Sequence, residues 1–593
     1  MRLDLNVDSP EDFGLLIRVQ VLFKRAESEL LNKSYATYDH FLEHYILKGG
    51  NNLKHLNIEH KVLWPVLIVL LLVLVPIGIN PSSAANVVGT ILSFITGNFG
   101  WIFVMFPFMI LIFFAWLVFG KYGQIKLGDP DDKPQFSNFS WFAMIFTTGI
   151  GGEIMYQSII EPITFYNDPP FGVESGTLSA ADWAMPFDFF YWGILAWAIY
   201  ALPSVPMAYA LYVKKIPHLR LSAACKPILG KHSDGLLGKI VDIAMMFGLI
   251  GVVGTSIGLV APMIARFLGE MFNIPVTFGL MVIVIGLWVI LFGGSVYLGL
   301  EKGLKRLSNF NIIIVAAITA FVFLVGPTVF ILDNTMQSIG VMFNDFFRMS
   351  FNLGAINNES FAQDWTVFYW AWWIGYASLI GLFTARISKG RTIRQVIITQ
   401  CLIGPVGCWL FLGVFGNYAL NLELSNLVPV SSIMVNSGQT EGIMAVINTL
   451  PLTAILIPLF VVAYLVFSAT TFDTASLILS SVASKKLDST GQPSRIHRLF
   501  WALILGSVGI IVLAIGGLDA VQLSSVIVGV PMILVFALMT ISFIKSVKED
   551  FKEKDTGSTL VRYPIHPTSE TKKDHVTEQN EDVFTEKESN IGK

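Results

Sequence analysis

Charge is scarce in this chain. Only 14% of its 593 residues are charged, against about 25% in soluble domains, while 54% are hydrophobic and the mean hydropathy is +0.65. That balance excludes an ordinary soluble domain and fits a polytopic membrane protein. A net charge of −3 leaves no surplus of either sign with which to attract nucleic acid or a polyanion. Cysteine is scarcer still: Cys225, Cys401 and Cys408 have neither metal-ligand spacing nor a disulfide framework and are read as packing residues. The histidines, at 40, 44, 55, 60, 218, 232, 497, 566 and 575, all fall outside the predicted spans, which argues against a histidine-held metal or haem in the membrane. No nucleophile, metal or cofactor motif is found, so an enzyme is the least expected class and no cofactor is expected.

The first apolar run begins only near residue 62, too late for a cleavable signal peptide. Within the preceding segment, Phe13 to Leu47 mixes apolar and charged residues, as an interfacial amphipathic helix or a solvated tail would. Apolar runs of about 17 to 25 residues, enough to cross the hydrocarbon core, then predict twelve helices. They cover 62–80, 99–120, 138–162, 184–212, 239–265, 275–294, 308–333, 363–387, 393–420, 444–480, 499–517 and 520–545. Lys and Arg follow the even-numbered spans, whereas 81–98, 163–183 and 421–443 contain none. This bias predicts both termini in the cytoplasm. Tyr297 to Asn311 alternates Leu with charged residues and is expected as an interfacial helix. Beyond about Lys545 a mixed-charge tail is expected to be solvated.

Aromatic residues are plentiful where the spans are otherwise smooth. Tyr369, Trp372, Trp373 and Tyr376 fall at i, i+3, i+4 and i+7 of the eighth span, so their rings share one helix face. Such a face suits a methylated ammonium, because a Trp ring attracts a cation that has no N–H to donate. The same spacing also serves packing against neighbouring helices. Trp192, Trp197 and Tyr200 form a second set in the fourth span, of which Trp197 and Tyr200 lie too deep for an interfacial belt.

Polar residues interrupt two further spans. Thr147-Thr148-Gly149-Ile150-Gly151-Gly152-Glu153 places glycines and an acid in the third. Glycine permits unwound backbone, whose freed carbonyls need a cavity, water or an ion; close helix packing is the alternative. Glu161-Pro162 is read as a helix terminus and gate element. In the tenth span, Phe467-Ser468-Ala469-Thr470-Thr471-Phe472-Asp473 offers hard oxygens suited to a small cation, although membrane hydroxyls also bond back to their own helix. Thr255-Ser256 is a weaker candidate. Glycines at 149 to 152 and at 375 and 381 predict interruptions in the third and eighth spans, each opening a five-helix repeat.

DWTVFYWAWWIGYASLIGLFTARISKGRTIR closely resembles the signature of the betaine/carnitine/choline transporter family. FFYWGILAWAIYALP resembles that family's fourth helix, SVYLGLEKGLKRLSNFN its interfacial helix and GIGGEIMYQSIIEP its third. The resemblance covers about residues 60 to 545. It implies an all-α membrane protein with a leucine-transporter-like 5+5 inverted repeat behind two leading helices, commonly a homotrimer. The corresponding segments are 1–61, cytoplasmic; 62–137, the leading helices; 138–335, the first repeat, with an interfacial helix near 297–308; 336–545, an extracellular connection and the second repeat; and 546–593, a cytoplasmic tail. By matching motifs, Trp192, Trp197, Tyr200 and Trp373 would surround the methylated ammonium. Backbone oxygens of Thr147, Ile150 and Phe467 and hydroxyls of Thr470 and Thr471 would bind sodium.

Two departures bear on specificity. Tyr376 stands where the family commonly has a Trp, and Glu153 where it commonly has a Gly. Glu153 would either counter a cationic substrate or, protonated, donate to the oxygen of an amine oxide or betaine. The expected function is sodium-coupled import through the inner membrane of a small methylated amine, with glycine betaine and trimethylamine N-oxide ahead of choline, and carnitine lower. A sodium-independent exchanger and a transporter-like sensor are the alternatives.

Overall fold

The computed structural model describes residues 57–79, 81–216, 219–298, 301–356, 359–487, 492–515 and 517–555. The Phe13–Leu47 segment and the tail beyond Asp555 lie outside them. The chain divides into two units. In the small one, Ile58 pairs with Ser484 in an antiparallel bridge, and the Lys485 N–H donates to the Asn57 carbonyl at 2.6 Å. Among its described residues the large one is mostly helical, with short connections and one isolated antiparallel bridge between Lys126 and Thr392.

Its principal helices are α1 (His60–Ile79), α2 (Pro81–Phe119), α3 (Asn138–Ile150), α4 (Glu153–Asn167), α5 (Leu178–Tyr191), α6 (Ile194–Tyr212), α7 (Leu236–Phe272), α8 (Phe278–Leu298), α9 (Glu301–Val325), α10 (Thr328–Asn344), α11 (Val367–Ile387), α12 (Gly404–Leu424), α13 (Thr453–Val482), α14 (Arg495–Ile515) and α15 (Gly517–Asp555). Among the described residues, eight helices are long and apolar enough to cross a membrane, or nine if the bent pair α9–α10 is one span. Their outer faces carry large apolar side chains, such as Phe119 at 88% and Leu534 at 69% exposure. In water that would be an aggregation hazard; in a bilayer it is the lipid-facing surface.

At the centre lies α11, with the whole of its apolar stretch buried. It packs against α6, α15, α7 and α3, while α4 packs against α12 and α5, and α13 against α7, α9 and α14. The basic segment after α11 is tied to the loop after α2. Arg391 donates to Asn138 Oδ1 at 2.5 Å and to the Phe136 carbonyl at 2.8 Å, and its guanidinium lies over the Trp141 ring. Arg394 donates to the Val118 carbonyl at the end of α2, where a helix terminus favours a cation.

Several boundaries differ from the sequence reading. The third span is two helices, broken at Gly151–Gly152. The fourth begins at Leu178 and breaks at Trp192–Gly193. The seventh does not reach residue 333: α9 stops at Val325, and the chain bends by 110° into α10. Gly326-Pro327 causes this, because proline cannot continue the hydrogen-bond ladder. The expected interfacial helix is not separate either, since α9 runs unbroken from Glu301. The tenth span is divided between Gln439–Ile447 and α13, with Leu452 in the left-handed region at φ 62°. Helix α15 continues to Asp555, past the predicted start of the tail, and Lys214 reaches Asp550 at 2.5 Å. His497 lies in α14 and is buried, where the Trp501 indole donates to its Nε2.

The predicted interruption of the eighth span is absent. Helix α11 passes through Gly375 and Gly381, which instead allow close approach. A Cβ at Gly375 would lie 2.4 Å from Val252 Cγ1, and one at Gly381 2.3 Å from Pro203 Cγ. The glycines are packing devices. Outside the spans, burial pushes the Cys225 thiol up to about 12, so it stays protonated at neutral pH.

Gly381→Val is expected to overpack the α6–α11 contact, costing about 1–3 kcal/mol and lowering the melting temperature in detergent. Gly340→Val, where a Cβ meets nothing within 4 Å, serves as the control. Equal melting temperatures would contradict the packing role.

Candidate functional site

The site is built around the break between α3 and α4. Gly151 sits at φ 60°, ψ −159°, a conformation open to glycine and strained for other residues. Stopping α3 here frees its last carbonyls inside the protein, where each needs a partner. The Tyr200 hydroxyl donates to the Gly149 carbonyl at 2.9 Å. Thr470 Oγ1 lies 3.4 Å from the Thr147 carbonyl, and Thr471 Oγ1 3.4 Å from that of Thr148. Both hydroxyls also reach the Phe467 carbonyl in their own helix, at 2.6 and 3.4 Å.

Glu153 opens α4 on the other side of the break. Its carboxyl folds back over the gap, so closely that a Cβ on Gly151 would lie 2.1 Å from Oε2. It sits at the amino end of the half-helix, where the first backbone N–H groups have no intrahelical acceptor. The Tyr376 hydroxyl lies 3.2 Å from Glu153 Oε1 and also bonds Ser256 of α7. Helices α4, α7 and α11 are thereby joined through one acid and two hydroxyls.

Above this floor is a cavity with about 270 Å³ of atom-free space, lined by Gly149, Ile150, Gly151, Glu153, Trp192, Tyr200, Trp372, Trp373, Tyr376 and Thr471. The space open to the centre of a water-sized sphere is only about 10 Å³, about enough for one water, so the lining is closed tightly around the cavity. Trp192 and Tyr200 both meet Trp373 edge to face, with ring centroids 5.2 and 4.6 Å apart. Trp372 contacts Trp192 at 6.1 Å and Tyr376 at 6.2 Å. The break at Trp192–Gly193 takes Trp192 out of the helix, and its indole donates to Glu161 Oε2 at 2.8 Å. The indole N–H groups of Trp372 and Trp373 are buried and have no acceptor. A site with aromatic walls, one carboxyl and two free donors suits a small solute bearing both an ammonium without N–H and an acceptor oxygen.

Five of the six predicted substrate residues therefore meet at one cavity: Glu153, Trp192, Tyr200, Trp373 and Tyr376. Trp197 does not line it; its ring stacks on Phe146 at 6.0 Å and against Gly404 of α12. Of the predicted cation ligands, Thr147, Phe467, Thr470 and Thr471 converge, while Ile150 borders the cavity beside Thr471. Sequence reading passed over Thr148, whose carbonyl faces Thr471, although it shares the freed end of α3. Trp372, which shares the aromatic face but was not among the rings expected around the ammonium, also lines the cavity. The signal was its position four residues before Tyr376 on the same helix face.

Comparison with known proteins gives this geometry a context. The family description "betaine/carnitine/choline family transporter" matches residues 61–552. A protein of Desulfitobacterium hafniense (strain Y51), named a probable glycine betaine transporter, is 35% identical over 474 residues, covering 79% of this chain and 94% of the relative. The helices, the match over most of the chain and the relative agree on a multi-pass membrane transporter rather than an enzyme. This chain belongs to the betaine/carnitine/choline transporter family.

Proposed function

We propose that this protein imports a small methylated-ammonium solute by alternating access, coupled to sodium. The observation that carries the reading is the cavity enclosed by Trp192, Tyr200, Trp372, Trp373 and Tyr376 beside the broken α3–α4 pair. A quaternary ammonium buried among these rings keeps its attraction to their faces and forfeits no N–H hydrogen bond. The free indole donors of Trp372 and Trp373 favour a solute with an acceptor oxygen. Glycine betaine and trimethylamine N-oxide thus rank ahead of choline, with carnitine lower.

Sodium would lie between the freed end of α3 and the hydroxyls of α13. Carbonyls of Thr147, Thr148 and Phe467 with hydroxyls of Thr470 and Thr471 supply hard, uncharged oxygens, and the carboxy-terminal end of a half-helix carries partial negative charge. A cation there would draw α3 to α13, and Thr471, which also borders the cavity, would connect ion to solute. The inner membrane, cytoplasmic termini and a trimer complete the proposal.

Uptake into proteoliposomes tests it. Trp373→Ala is expected to lose about 2 kcal/mol or more of cation–π attraction, roughly 30-fold in affinity, with the melting temperature retained; unchanged glycine betaine affinity would remove Trp373 from the site. Thr470→Ala combined with Thr471→Ala should make uptake insensitive to an imposed sodium gradient. If the double variant keeps wild-type sodium activation, the ion lies elsewhere. Glu153→Gln should weaken choline more than glycine betaine in competition assays, because only choline carries net positive charge. An unaltered ratio would show that Glu153 does not set the choice.

A further inference from the structure

A second acidic centre lies behind Trp192, outside the cavity. Glu161 on α4 and Asp188 on α5 are 2% and 0% exposed. Glu161 is fully engaged: its Oε2 accepts the Trp192 indole N–H at 2.8 Å, and its Oε1 accepts the Tyr369 hydroxyl. Asp188 is the opposite. Among the described residues it is the only buried carboxyl whose two oxygens receive no N–H or O–H donor. By contrast, Asp242 accepts from the Ser222 N–H and hydroxyl, and Asp473 from Arg498. Both acids meet at Trp192, whose backbone N–H donates to the Asp188 carbonyl at 3.3 Å and whose indole N–H donates to Glu161 at 2.8 Å, and the two carboxyls interact with each other. Two carboxyls can bond each other only if one carries a proton, and two like charges in a low dielectric cannot both persist.

The surroundings supply no compensating charge. Tyr369 of α11, Tyr191 of α5 and Cys408 of α12 are the other titratable groups that interact with the pair. Positive groups on neighbouring elements are engaged elsewhere: Arg266 of α7 pairs with Glu270 and Glu441, and Arg348 lies over Phe171 and beside Asp345. Nearby acids are bonded elsewhere: Glu423 accepts from the Ser431 N–H, Asp182 from Gln337 and Asp168 from the Trp365 indole.

We propose that Glu161 and Asp188 form a one-proton binding site that sets the position of the Trp192 wall of the solute cavity. The proton resides on Asp188, which donates to the Glu161 carboxylate, because Glu161 already accepts two donors and Asp188 has none. Its source and destination is water, reached when the helices part during the transport cycle. Loss of the proton sets two carboxylates against each other beneath Trp192. Tyr369, stacked on Tyr191 at 4.3 Å, keeps Glu161 from swinging away, so the strain falls on the indole that meets Trp373. Solute affinity is then highest with the pair protonated and falls as pH rises through its titration, by at most about tenfold per pH unit for one proton.

The test has two readouts on the purified full chain in lipid nanodiscs. Infrared difference spectra of wild type against Asp188→Asn should show a protonated-carboxyl band at neutral pH in the wild type only, absent also from Glu161→Gln and fading from the wild type on the alkaline side. Calorimetric titration with glycine betaine should show wild-type affinity falling with pH and Asp188→Asn affinity constant, since an amide donates to Glu161 without a proton to lose. The calorimetric arm rests on the cavity being the solute site; the infrared arm does not. No Asp188-dependent band, or the same pH profile in wild type and variant, would overturn the proposal. If glycine betaine binds at no pH while the band is present, the proton site stands, its control of affinity is lost and the solute reading fails.

Discussion

The structure depends on one constraint: a helix broken inside an apolar slab must find partners for the backbone groups it frees. The gap at Gly151–Gly152 exposes carbonyls at the end of α3 and N–H groups at the start of α4. An unpartnered group in such a place costs several kcal/mol. The surrounding helices answer with side chains suited to each end. Tyr200, Thr470 and Thr471 supply hydroxyls to the carbonyls, and Glu153 supplies a carboxyl at the amino end. The polar residues that looked anomalous one by one are the two halves of that requirement.

The same break arranges the aromatic walls. Tyr200 is held by the Gly149 carbonyl and Trp192 by Glu161, so two rings that face Trp373 are fixed by hydrogen bonds rather than by packing alone. Rings fixed before a ligand arrives spend little conformational entropy on binding. Edge-to-face contacts at 5.2 and 4.6 Å leave part of each π-face free. A cation that shed its water against such faces would gain about 2 kcal/mol or more of cation–π attraction.

Much of this was legible in the sequence because hydropathy and polarity exert their effects locally. The helical class, the aromatic faces, the Gly-rich break and the Thr pair all follow from residue type within a single span. What was not legible depends on partners far along the chain. Gly375 and Gly381 look like helix breakers until Val252 and Pro203 are seen against them, and Trp197 looks like a wall residue until Phe146 and Gly404 claim its ring. The break at Gly193 was hidden by apolar residues on both sides. Glu161 read as a terminus because neither Asp188 nor Tyr369 is near it in sequence.

The packing also indicates which seam can open. Every aromatic wall residue and Glu153 is at most 4% exposed, so a solute reaches the cavity only if helices separate. The α11 contacts to α6 and α7 are made through glycines against Pro203 and Val252, and such interdigitated packing resists sliding. Helix α13 is bound to α14 by the buried pair Asp473–Arg498 at 3.1 Å, and parting a buried ion pair costs about 3–5 kcal/mol. The α3–α13 seam is different. It is bridged by hydroxyl–carbonyl contacts at 3.4 Å, weak ones that a cation among the same oxygens would replace with stronger attraction. A seam held loosely without an ion and firmly with one would be the two-state contact that the proposed coupling requires, and this seam lies where the freed carbonyls of α3 carry partial negative charge.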